Sequence, residues 1–340
     1  MKKFIFVLLT FGILLLVGCP TETGNGEGTK EPVSYDVKDI NYDTYHSECV
    51  MDIYRSADEV RPVVMLIHGG AWITVQINGA SMDAALGLDR VHMVKFKDFF
   101  LENGYHVVNI EYRRINILSP DGTKYTDMLD DVKSAVTFLN NNANYYKIDT
   151  SKIVMLGYSA GGHLAELYSY KITDSPIPVK LCIGRAGPAD FSNEKFRTCS
   201  LGGFAEYPGL AAMFGLPNNI TKTELENFFR CRLITNLLGI ETDVTSDINK
   251  IADDPNNQND IQEASPIYYV NANSPRTIIL HGKNDPLVDY SIAESLDAKL
   301  TEYDVTHDFI TLPNANHDLN MTPSELENYN SKVLQALQSL

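Results

Sequence analysis

The sequence is 340 residues long, with 44% apolar and 21% charged residues, a globular composition that excludes a disordered, collagen-like or coiled-coil chain. Lys and Arg number 28 against 44 Asp and Glu, a formal charge of −16. Phosphate backbones and anionic headgroups both need a basic face, so a nucleic-acid binder and a polybasic membrane reader are excluded.

The N-terminus carries Lys2 and Lys3 ahead of an uncharged run from Phe4 to Gly18. That run is shorter than the ~20 residues a spanning helix needs, so residues 1–18 read as a secretion signal. Its end, Leu16-Val17-Gly18-Cys19, resembles the bacterial lipobox. Cleavage before Cys19 leaves that cysteine as the lipidated N-terminus, and the expectation is an exported cell-envelope lipoprotein held to a membrane by its lipid. Residues 19–32 are rich in Thr, Gly, Glu and Pro without apolar periodicity, as a flexible tether should be. The folded body is expected over 33–340.

In the body, residues 33–54 alternate apolar and polar positions and predict an antiparallel strand pair. Pro62 to His68 is a continuous apolar run ending in Gly-Gly, the pattern of a strand buried on both faces. His106 to Tyr112, Lys152 to Gly157, Val179 to Gly184, Arg276 to His281 and His307 to Leu312 repeat it. Helical spacing falls between them at 126–142, 159–172, 290–302 and 323–339. Eight strands alternating with helices predict an α/β fold whose mainly parallel sheet is covered on both faces. Residues 73–92 and 191–264 break the alternation and read as insertions over the active face, the second as a cap. Ligands of such sheets bind outside the carboxyl ends of the strands, so functional residues belong just after them.

The sequence holds Cys19, Cys49, Cys182, Cys199 and Cys231. Cys182 sits in an apolar strand and reads as a buried thiol. Cys199 and Cys231 share an insertion and a pairing between them is open. No Cys or His cluster has metal spacing; no metal or cofactor is expected.

Gly157-Tyr158-Ser159-Ala160-Gly161 lies between a strand and a helix. This G-x-S-x-G pattern predicts a nucleophile elbow, with Ser159 in a strained turn whose neighbours must be tiny. His68-Gly-Gly-Ala-Trp72 ends an earlier strand. Its small residues let backbone N–H groups turn toward a developing oxyanion. Gly70 and Ala71 are the candidate donors with Ala160; His68 reads as a brace for that turn. A serine nucleophile needs a base and the base an orienting carboxylate. His163 follows Ser159 by one helical turn and is expected to point along the helix. His281 closes a strand and His307 opens one. His317 remains, in a loop after the last strand, read as partly exposed. Asp285 is the candidate acid, with Asp190 and Asp289 as fallbacks.

HGGAW, GYSAGGH, SPIYYV, HGKNDPLV, Tyr112-Arg113 and Tyr125-x-Asp127 together make the sequence resemble the α/β-hydrolase superfamily. The likeness is to its esterase branch with an HGG-x-W oxyanion turn, of carboxylesterase or feruloyl-esterase type. It covers about residues 48–339. The resemblance implies a serine hydrolase of carboxylic esters, short-chain or carbohydrate-linked, with Ser159, Asp285 and His317 as triad and no cofactor. An amidase of arylformamidase or peptidase type on the same triad is an alternative, as is a non-catalytic binding module.

Overall fold

The computed structural model describes residues 36–340 except 78–79, 82, 84–87, 199–213, 215, 218 and 243–246. The signal, Cys19 and the tether fall outside the described residues, as does Cys199.

Eight strands form the main sheet: β1 (Val37–Asn41), β2 (Val50–Tyr54), β3 (Arg61–Ile67), β4 (His106–Ile110), β5 (Ile148–Tyr158), β6 (Val179–Arg185), β7 (Arg276–Gly282) and β8 (His307–Leu312). Their spatial order is β1-β2-β4-β3-β5-β6-β7-β8. From β4 to β8 every pairing is parallel, while β1–β2 and β2–β4 are antiparallel. The reason is visible in β3, whose residues Val63 to Ile67 are fully buried. Successive side chains point to opposite faces: Val63, Met65 and Ile67 enter one core layer, Val64 and Leu66 the other. Such a strand needs covering on both sides.

Helices α1 (Lys97–Glu102) and α7 (Pro323–Gln338) cover one face through Phe100, Tyr329 and Val333. On the other lie α2 (Tyr125–Asn141) and α3 (Ala160–Lys171), through Met128, Val132, Leu164 and Leu167. The expected cap is helical where described. Its longest element is α4 (Lys222–Leu238), opened by a Thr221–Glu224 capping box and closed by Gly239 at φ 72°. That is the left-handed C-terminal stop glycine allows. Near the sheet, α5 (Gln258–Ala264) is followed by α6 (Tyr290–Glu302) after β7. The first insertion is shallower, two short ribbons in which Ile73–Thr74 pairs with Ile115–Asn116 and Gln76–Ile77 with Ala80–Ser81.

One expectation shifts. Strand β5 begins at Ile148, ahead of Lys152, because Ile148 pairs with Arg61 across a register shift; tertiary pairing extends a polar stretch that its composition left as loop. Cys49, Cys182 and Cys231 are buried free thiols; the pairing left open between Cys199 and Cys231 involves a residue outside the described ones.

Helix α3 is buried on nearly every side because it lies between sheet and cap. Glu166 on it is 2% exposed, and its Oε2 has no hydrogen-bond partner. Burial pushes this carboxyl up to about 8. Glu166 therefore takes up a proton on folding at neutral pH. The cost grows as pH rises from the unfolded pKa toward 8, on the order of 1 kcal/mol per pH unit. Glu166→Gln should raise the Tm, and by more at pH 8 than at pH 5; thermal unfolding at both values checks this, and a variant less stable at pH 8 would contradict it.

Candidate active site

Ser159 stands between β5 and α3 with φ 55° and ψ −120°, a backbone state most non-glycine residues avoid. The neighbours make it possible. A Cβ at Gly157 would run into the Gly161 carbonyl, and one at Gly161 into the Ile67 carbonyl of β3. Hydrogen bonds hold the turn on both sides: Ser159 N–H donates to the Arg185 carbonyl at 2.8 Å, and His163 N–H donates to the Ser159 carbonyl at 3.1 Å.

Asp285 follows β7 and His317 follows β8. Their loops are laced together, since Lys283 N–H donates to the Leu312 carbonyl and Asn284 N–H to the Ala315 carbonyl. A Cβ on Gly282 would press on the Ala315 and Asn316 carbonyls. The structure brings three predicted residues into one line: His317 Nδ1 is 2.8 Å from Asp285 Oδ2, and His317 Nε2 is 2.8 Å from Ser159 Oγ. With the Nδ1–H donating to the carboxylate, the Nε2 lone pair faces the serine hydroxyl. Asp285 Oδ1 accepts the Leu287 and Val288 N–H groups at 2.8 and 3.0 Å. Burial alone would raise the Asp285 carboxyl, but His281 and His317 beside it hold it well below the carboxylate range. His317 is only 8% exposed, more enclosed than its loop suggested. The Tyr158 hydroxyl reaches its carbonyl at 2.9 Å and fixes the loop from below.

The fallback acids have other roles. Asp190 accepts from Ser192 N–H and Oγ in its own turn. Asp289 caps α6 by accepting the Ser291 N–H. His307 is bonded to Asp297 and the Val305 carbonyl.

The HGGAW turn carries three consecutive left-handed residues, Gly70 at φ 108°, Ala71 at 51° and Trp72 at 59°. Ala71 and Trp72 gain nothing from such geometry by themselves, so the surroundings impose it. Ile73 N–H donates to the Gly70 carbonyl and Ile115 N–H to the Trp72 carbonyl. A Cβ on Gly69 would meet the Tyr158 carbonyl and Ser159 Cβ, which shows how closely the turn runs past the elbow. His68 braces it as read from the sequence. Its ring stacks on Tyr112 at 4.4 Å, and the Tyr112 hydroxyl donates to the His68 carbonyl at 2.8 Å.

Sequence reasoning missed Glu111. Both His68 nitrogens face acceptors: Nδ1 lies 2.6 Å from the Gly69 carbonyl and Nε2 3.2 Å from Glu111 Oε2. Arg114 meets the same carboxylate at 3.2 Å, and Arg90 N–H donates to its other oxygen at 2.8 Å. Burial would raise Glu111, but His68, Arg114 and the Arg90 N–H bring it down to about 2. The one available signal was a glutamate ending the apolar run Val-Val-Asn-Ile of β4.

Ser159, His317, Ala71 and Trp72 open onto a cavity of about 110 Å³. Most of its wall is apolar, with Phe191, Leu233, Ile234 and Val288 in it, and Arg197 and Arg230 also line it. Phe191 and Phe196 of the insertion thus line the site, whereas Phe229 packs into the core.

Glu111→Gln should loosen the turn, because removing one partner of a buried ionic cluster leaves the others uncompensated, at about 3–5 kcal/mol. The native carboxylate stabilises the fold above its unfolded pKa, and that contribution fades as pH falls from about 4.5 toward 2. Thermal melts between pH 7 and 3 should show a larger gap between the two proteins at pH 7; equal melting temperatures there would contradict it.

Comparison with known proteins bears on the chain's family and fold. The BD-FAE family model matches residues 51–300. The esterase LipQ of Mycobacterium tuberculosis is 27% identical over 82% of this chain and 56% of its own length. LipM of the same organism, a probable carboxylic ester hydrolase, is 26% identical over 74% and 48%. The chain thus spans about half the length of these curated relatives. Among solved structures, a truncated carbohydrate esterase from gut microbiota superposes with a TM-score of 0.61 at 18% identity, covering 91% of this chain and 99% of that one. Esterase B of Lactobacillus rhamnosis gives 0.61 at 14% identity, over 99% and 96%. These share the fold, and with the matched family model they establish that the chain belongs to the BD-FAE family and has the α/β-hydrolase fold.

Proposed function

We propose that the chain is a serine hydrolase that cleaves carboxylic esters through an acyl-enzyme on Ser159. The observation that carries this reading is the continuous hydrogen-bonded line from Asp285 through His317 to Ser159 Oγ, ending at the mouth of an apolar cavity. The esterase names of the curated relatives support it.

In this mechanism His317 Nε2 takes the Ser159 proton as Oγ attacks the ester carbonyl. The N–H groups of Gly70, Ala71 and Ala160 receive the oxyanion, with the positive end of α3 behind Ala160. His317 then protonates the leaving alcohol, and water repeats the sequence on the acyl-enzyme. Asp285 keeps the Nδ1 proton in place and stabilises the imidazolium.

The cavity narrows the acyl group. At about 110 Å³ it is smaller than the ~150 Å³ apolar cavity that holds a benzene ring, so a chain of about four carbons suits it better than one of sixteen. Carbohydrate-linked esters fit as the alcohol side, in keeping with the carbohydrate esterase of the same fold. We further propose that the protein is an exported lipoprotein tethered through Cys19, a reading supported by the charge-free run and lipobox-like end of the first residues.

The test is turnover of p-nitrophenyl esters of two, four, eight and sixteen carbons, with a formanilide alongside, by the wild type and Ser159→Ala. The expectation is Ser159-dependent hydrolysis peaking at four carbons; preference for the formanilide would replace the esterase reading with an amidase one. Asp285→Asn should lower kcat on the order of 10⁴-fold without unfolding the protein, read by steady-state kinetics beside a thermal melt.

A further inference from the structure

We propose that His163 is a positioning residue that ties the oxyanion turn to the nucleophile helix and the cap through two hydrogen bonds of one imidazole. The inference deepens the serine-hydrolase reading and rests on it.

His163 lies one helical turn beyond Ser159 on α3 and has no exposed surface. Its Nδ1 is 3.1 Å from Trp72 Nε1. An indole N–H only donates, so Nδ1 bears no proton. Its Nε2 is 2.8 Å from the Ala264 carbonyl. A carbonyl only accepts, so Nε2 carries the proton. The two partners therefore select one neutral tautomer. Burial, helped by Lys171 and opposed by the bond to Ala264, pushes the imidazole down to about 4, so it keeps this tautomer across the neutral range. Aromatic rings enclose it, with Trp72 edge-on at 5.4 Å, Phe191 at 4.9 Å and Tyr125 at 6.5 Å.

The bridge joins three separate segments. Trp72 is the last of the three left-handed residues of the oxyanion turn. His163 sits on the helix that begins beside Ser159. Ala264 ends α5, the last helix before Ser265 accepts the Phe191 N–H at 2.9 Å. Trp72 and Phe191 both line the cavity. The imidazole thus sets where the turn stands relative to Ser159 Oγ, and it does so from outside the reacting atoms. A phenyl ring of similar size would fill the space and leave the indole N–H and the Ala264 carbonyl without partners. A turn held in a strained backbone state would then relax, and the Gly70 and Ala71 N–H groups would leave the oxyanion position.

Trp72 is the single tryptophan of the sequence, so its emission reports on this bridge directly. The experiment compares full-length wild type, His163→Phe, His163→Gln, Trp72→Phe and the His163→Phe/Trp72→Phe double variant. It measures the rate of Ser159 labelling by a fluorophosphonate, and kcat and KM on p-nitrophenyl butyrate per labelled site. Loss of one oxyanion donor lowers kcat by about 10²–10³-fold, so partial misalignment should cost His163→Phe and Trp72→Phe each on the order of tenfold or more in kcat and labelling rate, with KM little changed. Because the two act through one bond, the double variant should be no slower than either single variant. Gln carries an acceptor and a donor on one amide, so His163→Gln should recover most of the rate and return the Trp72 emission that His163→Phe shifts. A labelling rate in His163→Phe within twofold of wild type, or a double variant at the product of the single effects, would overturn the proposal. Labelling proceeds in any serine hydrolase of this geometry, so a wild type that labels yet cleaves no ester refutes the ester reading while the labelling rates still judge His163. Should His163→Phe fail to fold, Trp72→Phe and His163→Gln carry the same comparison.

Discussion

The closeness of three backbones at the elbow is the constraint on which the site depends. Gly157, Gly161 and Gly69 let β5, α3 and the turn after β3 approach to distances that leave no room for a Cβ. Only then does Ser159 reach its left-handed state, with its N–H bonded to Arg185 and its hydroxyl turned toward His317. The strain is small against the packing that surrounds it. Strands β3 and β5 are buried throughout their centres, and a close-packed core yields little to a local backbone preference.

From that contact the rest of the site is arranged by hydrogen bonds between loops that are far apart in the chain. The loops after β7 and β8 are laced by main-chain bonds beside the point where Asp285 and His317 meet. Asp285 then serves as a hub, taking two backbone N–H groups on one oxygen and two imidazoles around the other. On the opposite side of Ser159, the oxyanion turn is held by polar groups that are almost wholly buried: His68 and Glu111 beneath it, Trp72 and His163 beside it. Polar groups are expensive to bury unless every one is bonded. Their presence in a core built of Val, Ile, Leu and Met marks where position matters more than stability.

The cap gives the site its selectivity in this reading. Its described helices contribute aliphatic side chains to one wall, and Trp72 and Val288 line it from the body. An apolar pocket discriminates by volume, at a modest energy per methylene, whereas Ser159, Asp285 and His317 stand just after β5, β7 and β8, and the HGGAW turn just after β3. In the proposed function, chemistry and substrate choice thus sit on different parts of the chain.

Much of this was legible without coordinates. Apolar runs of six or seven residues placed five of the eight strands within a residue or two, because a strand covered on both faces is apolar along most of its length. Ser159, Asp285 and His317 were legible because a tight turn needs glycine at fixed offsets and a parallel sheet puts functional residues after its strands. The antiparallel start of the sheet followed from alternation alone. What the sequence left open was whatever depends on partners distant in the chain. The sequence ranked Asp285 ahead of Asp190 and Asp289 without removing them, since any carboxylate after a strand has the right local pattern; the placed loops put Asp285 Oδ2 2.8 Å from His317 Nδ1. The roles of Glu111 and His163 were hidden for the same reason: a glutamate at a strand end and a histidine on a helix look the same whether they face water or an indole N–H. Local rules of backbone and burial are written residue by residue. Hydrogen-bond partners 91 or 101 residues away are decided only when the sheet brings their segments together.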